Sequence, residues 1–536
     1  MSLRVTFVAT RKNLDPAERE LYEMNLVLDV LKLDRAFADL GLLTVAACTP
    51  PDVEVSFVDE YVTPIDFDVE TDLVALSAKT SCVTRAYQVA EQFRARGVPV
   101  VLGGIHASLR PEEALAHVDC VVTGEAEALW PRVIEDLRAG RLKERYDAHD
   151  FPPMAEVPPP RWGAAPAARY LFHQLQTTRG CPFSCRFCSV PDVSGNAFRF
   201  KPVERVLGEL AAMPPGGGLA GKRRPLYIVD DNFISRRTYT KELLRAMAPL
   251  WQAGRIAPWS AETTVNVAQD DELLDLLRDA GCATLILGLE SIEEDTLRAM
   301  DKGVNLCMTY PDALARIHAR GMSVVGNFIV GFDTDDVGVF RRIRDFVQQT
   351  GMLFPFFSIL TPMPGTGLFD EVKAAGRLFH EDWHLYDTRH VVMNPARMTP
   401  AELLDGYIWL YDQLYATDRL LDRLERNWQW RSRARRGMVE RLFVAGALNM
   451  MTRDGGPALR GLSRRGGRLL LDRRLNADPG QLLFTVDATH YAERLIADRS
   501  PQYAAHARRF EDPQDARMQW QSERARRGSA KRAASG

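Results

Sequence analysis

The sequence predicts an α/β protein of two successive parallel-sheet bodies, a doubly wound (Rossmann-like) domain and then a partial (β/α)6 TIM-type barrel, closed by a helical C-terminal segment. Three observations carry this reading. Up to about residue 395, short β-branched and apolar runs alternate with stretches of helical periodicity, the pattern of β–α units around parallel sheets. A proline-dense stretch holding Pro152, Pro153, Pro158, Pro159 and Pro160 interrupts that alternation once; such density disfavours helix and sheet and reads as a semi-rigid linker. A chain of 536 residues is too long for a single core.

The first domain is expected over residues 1–145. Leu3–Thr10, Val53–Asp59, Leu73–Ser77, Val98–Gly103 and Cys120–Thr123 read as its strands, with helices clearest over Thr84–Arg96 and Pro111–His117. Ligands of such sheets sit at the carboxyl ends of the strands. The residues expected there are Ser77 to Ser81, then Gly103 and Gly104 with His106, then Gly124 and Glu125. Paired glycines let a large cofactor approach the backbone closely.

The linker spans 146–169 and the barrel 170–395. Barrel strands are expected at Tyr170–Gln176, Pro225–Val229, Trp259–Thr263, Thr284–Leu289, Ser323–Val330 and Phe356–Leu360. Helices intervene at Val203–Met213, Tyr239–Gln252, Asp271–Ala280, Tyr310–Arg320 and Val337–Thr350. About six β–α units imply a partial barrel whose functional residues gather at the C-terminal strand ends. A helical cap is expected over 396–510, opening with an amphipathic helix at Thr399–Leu424, and a disordered basic tail over 511–536. The arginine run 431–436 beside the apolar stretch Leu442–Met451 reads as a solvated basic face, with peripheral contact to an anionic membrane as the alternative.

Bulk properties exclude little else. Net charge near −3 gives no case for nucleic-acid binding, and 46% apolar with 26% charged residues is ordinary for a globular chain. No signal-peptide h-region and no run of about 18 apolar residues stands out, so a cytoplasmic protein is expected.

The chemistry concentrates at Cys181, Cys185 and Cys188. A C-x3-C-x2-C run supplies three thiolates, one fewer than a 4Fe–4S cluster usually takes, and so leaves one iron open. Structural zinc wants four ligands, and no nearby Cys or His pair completes that set. A disulfide framework leaves one cysteine over, and the other five cysteines lie singly in apolar strings.

With its Thr-Arg-Gly lead-in, this run resembles the radical S-adenosylmethionine (SAM) superfamily. The strings Val-Leu-Gly-Gly-Ile-His-Ala and Val-Val-Thr-Gly-Glu-Ala-Glu ahead of it, and Gly288-Leu289-Glu290-Ser291, Asp301-Lys302-Gly303 and Pro362-Met363-Pro364-Gly365 behind it, are similar to the branch that carries a cobalamin-binding domain. The resemblance implies a 4Fe–4S cluster with SAM on its open iron, reduced by a reductase, flavodoxin or ferredoxin, and cobalamin in the first domain. It also implies Phe187 against adenine, Asp230, Asp231 and Asn232 toward the SAM ammonium, and Glu262 toward the ribose. Glu290 and Ser291 would lie beside the cofactor, with backbone amides at Gly331 near the adenine edge. Asn232 or Ser235 could instead cap the following helix. The cobalt-ligating string Asp-x-His-x-x-Gly is absent after the first strand, so cobalamin without a protein histidine on its lower face is expected, with His106 near the corrin.

The implied activity is C-methylation of an unactivated carbon of a small substrate, greasy or pigment-like. One SAM supplies the methyl group to cobalamin, and a second yields the 5′-deoxyadenosyl radical that abstracts hydrogen from the substrate. Relatives of the branch also perform cyclisation, ring rearrangement or oxidative steps, and a cofactor-binding sensor is a third reading. Methylthiolation is disfavoured, since the first domain has no second cysteine triad.

Overall fold

The computed structural model describes residues 2–12, 28, 33–148, 150–213, 223–430, 464–469 and 479–511. The first sheet runs β2-β1-β3-β4-β5-β6, all parallel, from β1 (Arg4–Ala9), β2 (Glu54–Asp59), β3 (Leu73–Ser77), β4 (Val100–Gly103), β5 (Cys120–Thr123) and β6 (Arg145–Asp147). The central strand β3 is buried at Leu73 through Leu76, as a parallel strand covered on both faces must be. The helix Val83–Ala95 buries Val83, Ala86, Val89, Ala90 and Phe93, the three-and-four spacing of one apolar face. The sixth strand carries the sheet to Asp147, past the expected boundary at 145.

After the linker, β7 (His173–Leu175) enters the barrel and a short antiparallel pair, β8 (Thr178–Arg179) with β9 (Arg199–Phe200), frames the cysteine loop. The barrel continues with β10 (Leu226–Ile228), β11 (Trp259–Thr263), β12 (Cys282–Glu290), β13 (Ser323–Val330) and β14 (Phe354–Ile359), in the order β14-β13-β12-β11-β10-β7, all parallel. All six expected barrel strands are present. Leu226, Ile228, Ala261, Leu285, Leu287 and Phe328 point into the helical layer and join the main core. The alternating positions Tyr227, Glu262, Asn327 and Phe356 face inward and keep solvent access.

Two segments tie the bodies together. Residues 33–38 run beside the start of β7, where Arg35 bridges Tyr170 and the ring of Phe37 stacks on Phe172 at 4.9 Å. The chain after β14 wraps the first domain: Trp383, Tyr386 and Val392 share a core with Val83, Phe93 and Leu102.

The expected helix at Thr399–Leu424 is two helices, Pro400–Tyr415 and Thr417–Trp430, parted where Ala416 leaves helical geometry at ψ 132°. Thr399 and Glu402 close a capping box at the start of the first. Its buried Asp405 receives the Ser500 amide at 2.9 Å and His506 Nδ1 at 2.6 Å, which docks the last helix, Tyr503–Glu511. Glu511 is therefore helical, while the rest of the expected tail, the 431–436 arginine run, Leu442–Met451 and with them the membrane-contact alternative lie outside the described residues. No described helix is long and apolar enough to cross a membrane.

Candidate functional site

The two sheets abut through their carboxyl edges. Glu125, after β5, accepts Arg179 at 2.8 Å and Arg199 at 2.9 Å, and Arg179 also reaches Glu127 at 2.5 Å. Arg179 immediately precedes the Gly180–Cys181 turn. Leu109, just beyond β4, packs where a Cβ on Gly365 would stand, 2.7 Å away, and Gly365 lies in the loop after β14. The chain ends that carry the expected cofactor residues therefore face one another.

The cysteine loop is braced from β10. Asp230 is buried and accepts the Thr177 amide at 2.6 Å, the Thr178 amide at 3.0 Å and the Thr177 hydroxyl. Burial lifts its pKa to about 6 against those hydrogen bonds. Asp230 is expected toward a SAM ammonium; in the structure it braces the loop through these three hydrogen bonds. Asp231 accepts the Gly180 amide at 3.0 Å and keeps an open face; solvent reaches it, yet surrounding protein desolvates it enough to raise its pKa. Gly180 has φ +87°, and a Cβ there would meet the Ala197 carbonyl at 2.5 Å, so only glycine makes this turn.

Cys185 is buried, with Cys181 and Cys188 half-buried, and all three are free thiols. The Cys188 amide donates to the Cys185 carbonyl at 3.0 Å. Arg186 ties the loop to the turn after β12, its amide on the Met300 carbonyl at 3.3 Å and its guanidinium on Ala299 at 3.2 Å. Burial raises the thiol pKa values, that of Cys188 to about 11, and the neighbouring Lys302 ammonium opposes the shift. Among the described residues no three His, Cys, Asp or Glu side chains converge on one point. The donor set, three soft sulfurs in an enclosed loop beside a cation, fits a 4Fe–4S cluster.

Lys302 was not singled out by the sequence reading. It is buried, 2.9 Å from Glu290. Burial alone would lower its pKa, but the charges of Glu290 and Cys185 outweigh that and raise it. Glu290 and Asp301 both hold left-handed backbone, φ 62° and 55°. Glu262 is accessible in the barrel mouth, accepts the Tyr227 hydroxyl at 2.7 Å and has a pKa raised by desolvation. The charges of Asp231 and Glu290 add to the rise at Glu262.

The remaining expected residues divide. Phe187 packs edge-on to Phe332 at 6.3 Å in a small cluster with Met300 and Leu360. Asn232 is buried against Thr264 at 3.3 Å, and neither it nor Ser235 caps the next helix. The Ser291 hydroxyl is buried and accepts the Glu293 amide at 3.1 Å, turning the loop after β12. The Gly331 and Phe332 amides are not available to an adenine, since both donate to Asp335 at 3.0 and 3.1 Å.

In the first domain Ser77 is half-buried and Ser81 is buried. Gly103 leads to Gly104, whose φ of +90° and close approach to Ser77 Oγ admit no side chain. Gly124 donates to Ser108 at 2.9 Å. Ile105, directly after the glycine pair, exposes 42% of its surface, an apolar face at the carboxyl edge of the first sheet. His106 is wholly enclosed, its nitrogens 3.4 Å from Thr80 and from Glu113, so it offers no face to a cofactor.

Asp335 gives a pH prediction. Burial raises its pKa from 3.8 to about 7. The folded state thus holds a proton that the unfolded chain releases between those values, and stability falls as pH rises through that window. The thermal unfolding temperature of the wild type is expected to drop between about pH 4 and about pH 7, with a smaller drop in Asp335→Asn, which keeps an oxygen for both amides.

Comparison with known proteins is consistent along the chain. The Radical SAM superfamily profile matches residues 175–347 and the B12 binding domain profile residues 27–134. The bacteriochlorophyllide d C-12(1)-methyltransferase of Chlorobaculum tepidum is 33% identical over 402 residues, 73% of this chain and 86% of that protein. The hopanoid C-2 methylase of Rhodopseudomonas palustris is 30% identical over 64% of this chain and 65% of its own. The solved structure of the cobalamin-dependent S-adenosylmethionine radical enzyme OxsB, with aqua-cobalamin and S-adenosylmethionine bound, shares the fold at TM-score 0.59 and 14% identity, over 95% of this chain and 83% of that one.

Proposed function

Because the chain belongs to the cobalamin-binding radical SAM enzymes, whose cofactors are a 4Fe–4S cluster, S-adenosylmethionine and cobalamin, we propose that it transfers a methyl group to an unactivated carbon of a polycyclic, largely apolar small molecule. One observation carries the reading. Glu125 at the cobalamin edge is joined to Arg179 and Arg199 at the cysteine edge, so a substrate held at that seam is within reach of both cofactors. The bound cofactors supply a carbon-centred radical and a transferable methyl group. This chain supplies orientation and shielding. Cys181, Cys185 and Cys188 hold the cluster. Lys302 and Glu290 present one charge of each sign beside it, matching the amino and carboxylate groups of an amino-acid moiety, and Glu262 and Asp231 offer acceptors across the barrel mouth.

A pigment precursor or a polycyclic lipid is the substrate class, supported by the names of two relatives and by the apolar exposure at Ile105. A flavodoxin- or ferredoxin-type protein is the reductant. The test is anaerobic reconstitution with methyl-labelled SAM and either a chlorin-type tetrapyrrole or a pentacyclic triterpenoid. Labelled methyl in the product, with 5′-deoxyadenosine and S-adenosylhomocysteine formed in step, is expected. Converted substrate without the label would instead indicate cyclisation or oxidation.

A further inference from the structure

The barrel sheet is open. In the order β14-β13-β12-β11-β10-β7 no described strand joins β14 to β7, and the first domain meets both flanks of the gap. Beside β7, Arg35 and the Tyr170 hydroxyl both reach Asp59, at the carboxyl end of β2, at 2.9 and 3.1 Å. Beside β14, the Ile359 amide donates to the Thr388 carbonyl at 2.7 Å, and the adjacent Asp387 pairs with Lys12, from the loop leaving β1. The lumen of the barrel therefore opens sideways toward the carboxyl edge of the first sheet.

Phe37 stands on the lip of that opening. Arg35 bridges Tyr170 in parallel, and the Ala38 amide donates to the Gln174 side chain at 2.8 Å, so residues 35–38 run along β7. Leu171 and Leu175 belong to the main core, and side chains alternate along a strand, so Phe172 and Gln174 face the lumen. The Phe37 ring lies flat on Phe172, with 4.9 Å between centroids and 8° between planes, and meets Tyr227 edge-on at 5.1 Å. Tyr227 pairs in register with Gln174 and gives its hydroxyl to Glu262 at 2.7 Å. All three rings are half-buried, while Glu262 keeps its exposure on a strand inside the sheet.

Rings that only joined the domains would serve best on the helical side of the strands, where burial is complete. On the lumen side each leaves apolar surface in water, which costs free energy until a ligand covers it. Aromatic walls with a few polar groups above them, here the Glu262 carboxylate and the Tyr227 hydroxyl, are the lining of a pocket for an apolar molecule.

We propose that Phe37, Phe172 and Tyr227 form the aromatic wall against which the ring system of the methyl acceptor stacks, with Phe37, a side chain of the first domain, as its specificity-determining member. This rests on the reading above that the acceptor is polycyclic and largely apolar.

Fluorine magnetic resonance of the full-length holoprotein tests it, with para-fluorophenylalanine placed at Phe37 and, in a separate preparation, at Phe7 in the core of the first domain. With SAM present and no reductant, the protein is titrated with the chlorin-type tetrapyrrole and separately with the pentacyclic triterpenoid. At least one of the two should shift the Phe37 signal and leave the Phe7 signal in place. For a probe that is methylated, Phe37→Ala should raise KM about tenfold, the scale of one aromatic contact, with a smaller change in kcat. Phe37→Tyr, which keeps the ring, should restore KM, and Phe37→Leu, which keeps only apolar volume, should not. A selective shift without methylation of either probe would remove the methyl-transfer reading and leave the aromatic wall standing. A Phe37 signal that stays still with both probes, equal movement of the two labels, or an unchanged KM in Phe37→Ala overturns the wall, whether or not methyl transfer occurs.

Discussion

Lys302→Met is expected to assemble its iron–sulfur cluster and fail to cleave SAM. The three cysteines proposed to hold the cluster are untouched by the change, so iron content and the cluster's absorption should match the wild type. The buried Glu290 carboxylate, 2.9 Å from the lost ammonium, is then left without its counter-charge. Removing one partner of such a pair costs ~3–5 kcal/mol, equivalent to about two to nearly four orders of magnitude in an equilibrium. Glu290 and Asp301 already hold left-handed backbone, each costing about 1–3 kcal/mol, so this turn depends on its contacts. Part of the loss should appear as a lower unfolding temperature and part as weaker SAM binding, read from the change SAM induces in the resonance spectrum of the reduced cluster. The double variant Glu290→Gln with Lys302→Met separates the shares, because two neutral groups relieve the stranded charge. Stability should recover while SAM cleavage does not. Cleavage at the wild-type rate in Lys302→Met would reduce the pair to a structural brace.

What the sequence discloses here follows the physics of each element. The barrel strands at 284–289 and 323–330 are legible because a parallel strand covered on both faces must be apolar nearly throughout. Arg145–Asp147 is not, since a three-residue edge strand of Arg-Tyr-Asp carries no such pattern. The cysteine loop is legible as a ligand arithmetic. The partners of Asp230 are not, because they are chiefly backbone amides of Thr177 and Thr178, and every residue but proline has an amide. A carboxylate at a strand end reads alike whether it holds a ligand or a loop, so Asp230 and Asp231 were indistinguishable until geometry parted them. Lys302 lies within a string that resembles the family, but a lone lysine announces its burial only through the fold. Asp387 and Lys12 are remote from each other in sequence and meet only because the segment after β14 returns across the first domain. Arg179 was visible as part of the lead-in, although its partners Glu125 and Glu127 were legible only as a cofactor loop.

Those partners make the second large effect. Glu125→Ala should leave each cofactor bound to its own domain and break the coupling between them. Glu125 serves two guanidiniums in a setting where Arg179 and Arg199 are nearly buried, at 10% and 14% side-chain exposure. Its loss strands Arg199 against a second cation, while Arg179 keeps Glu127, so the cost belongs at the lower end of the ~3–5 kcal/mol that a broken buried pair incurs. Arg179 adjoins Gly180, whose amide rests on Asp231. A shift of the guanidinium is thus passed directly to the turn that presents Cys181. A misplacement of about 1 Å at a reacting seam costs on the order of a hundredfold in rate, and here it falls on the transfer between the two edges more than on SAM cleavage. The informative measurement is therefore a ratio, 5′-deoxyadenosine formed per methylated product, expected to rise at least tenfold in Glu125→Ala and less in Glu127→Gln, which leaves Glu125 on both arginines. Should both variants keep the wild-type ratio, the contact would serve only to join two domains, and the common seam would lose its main support.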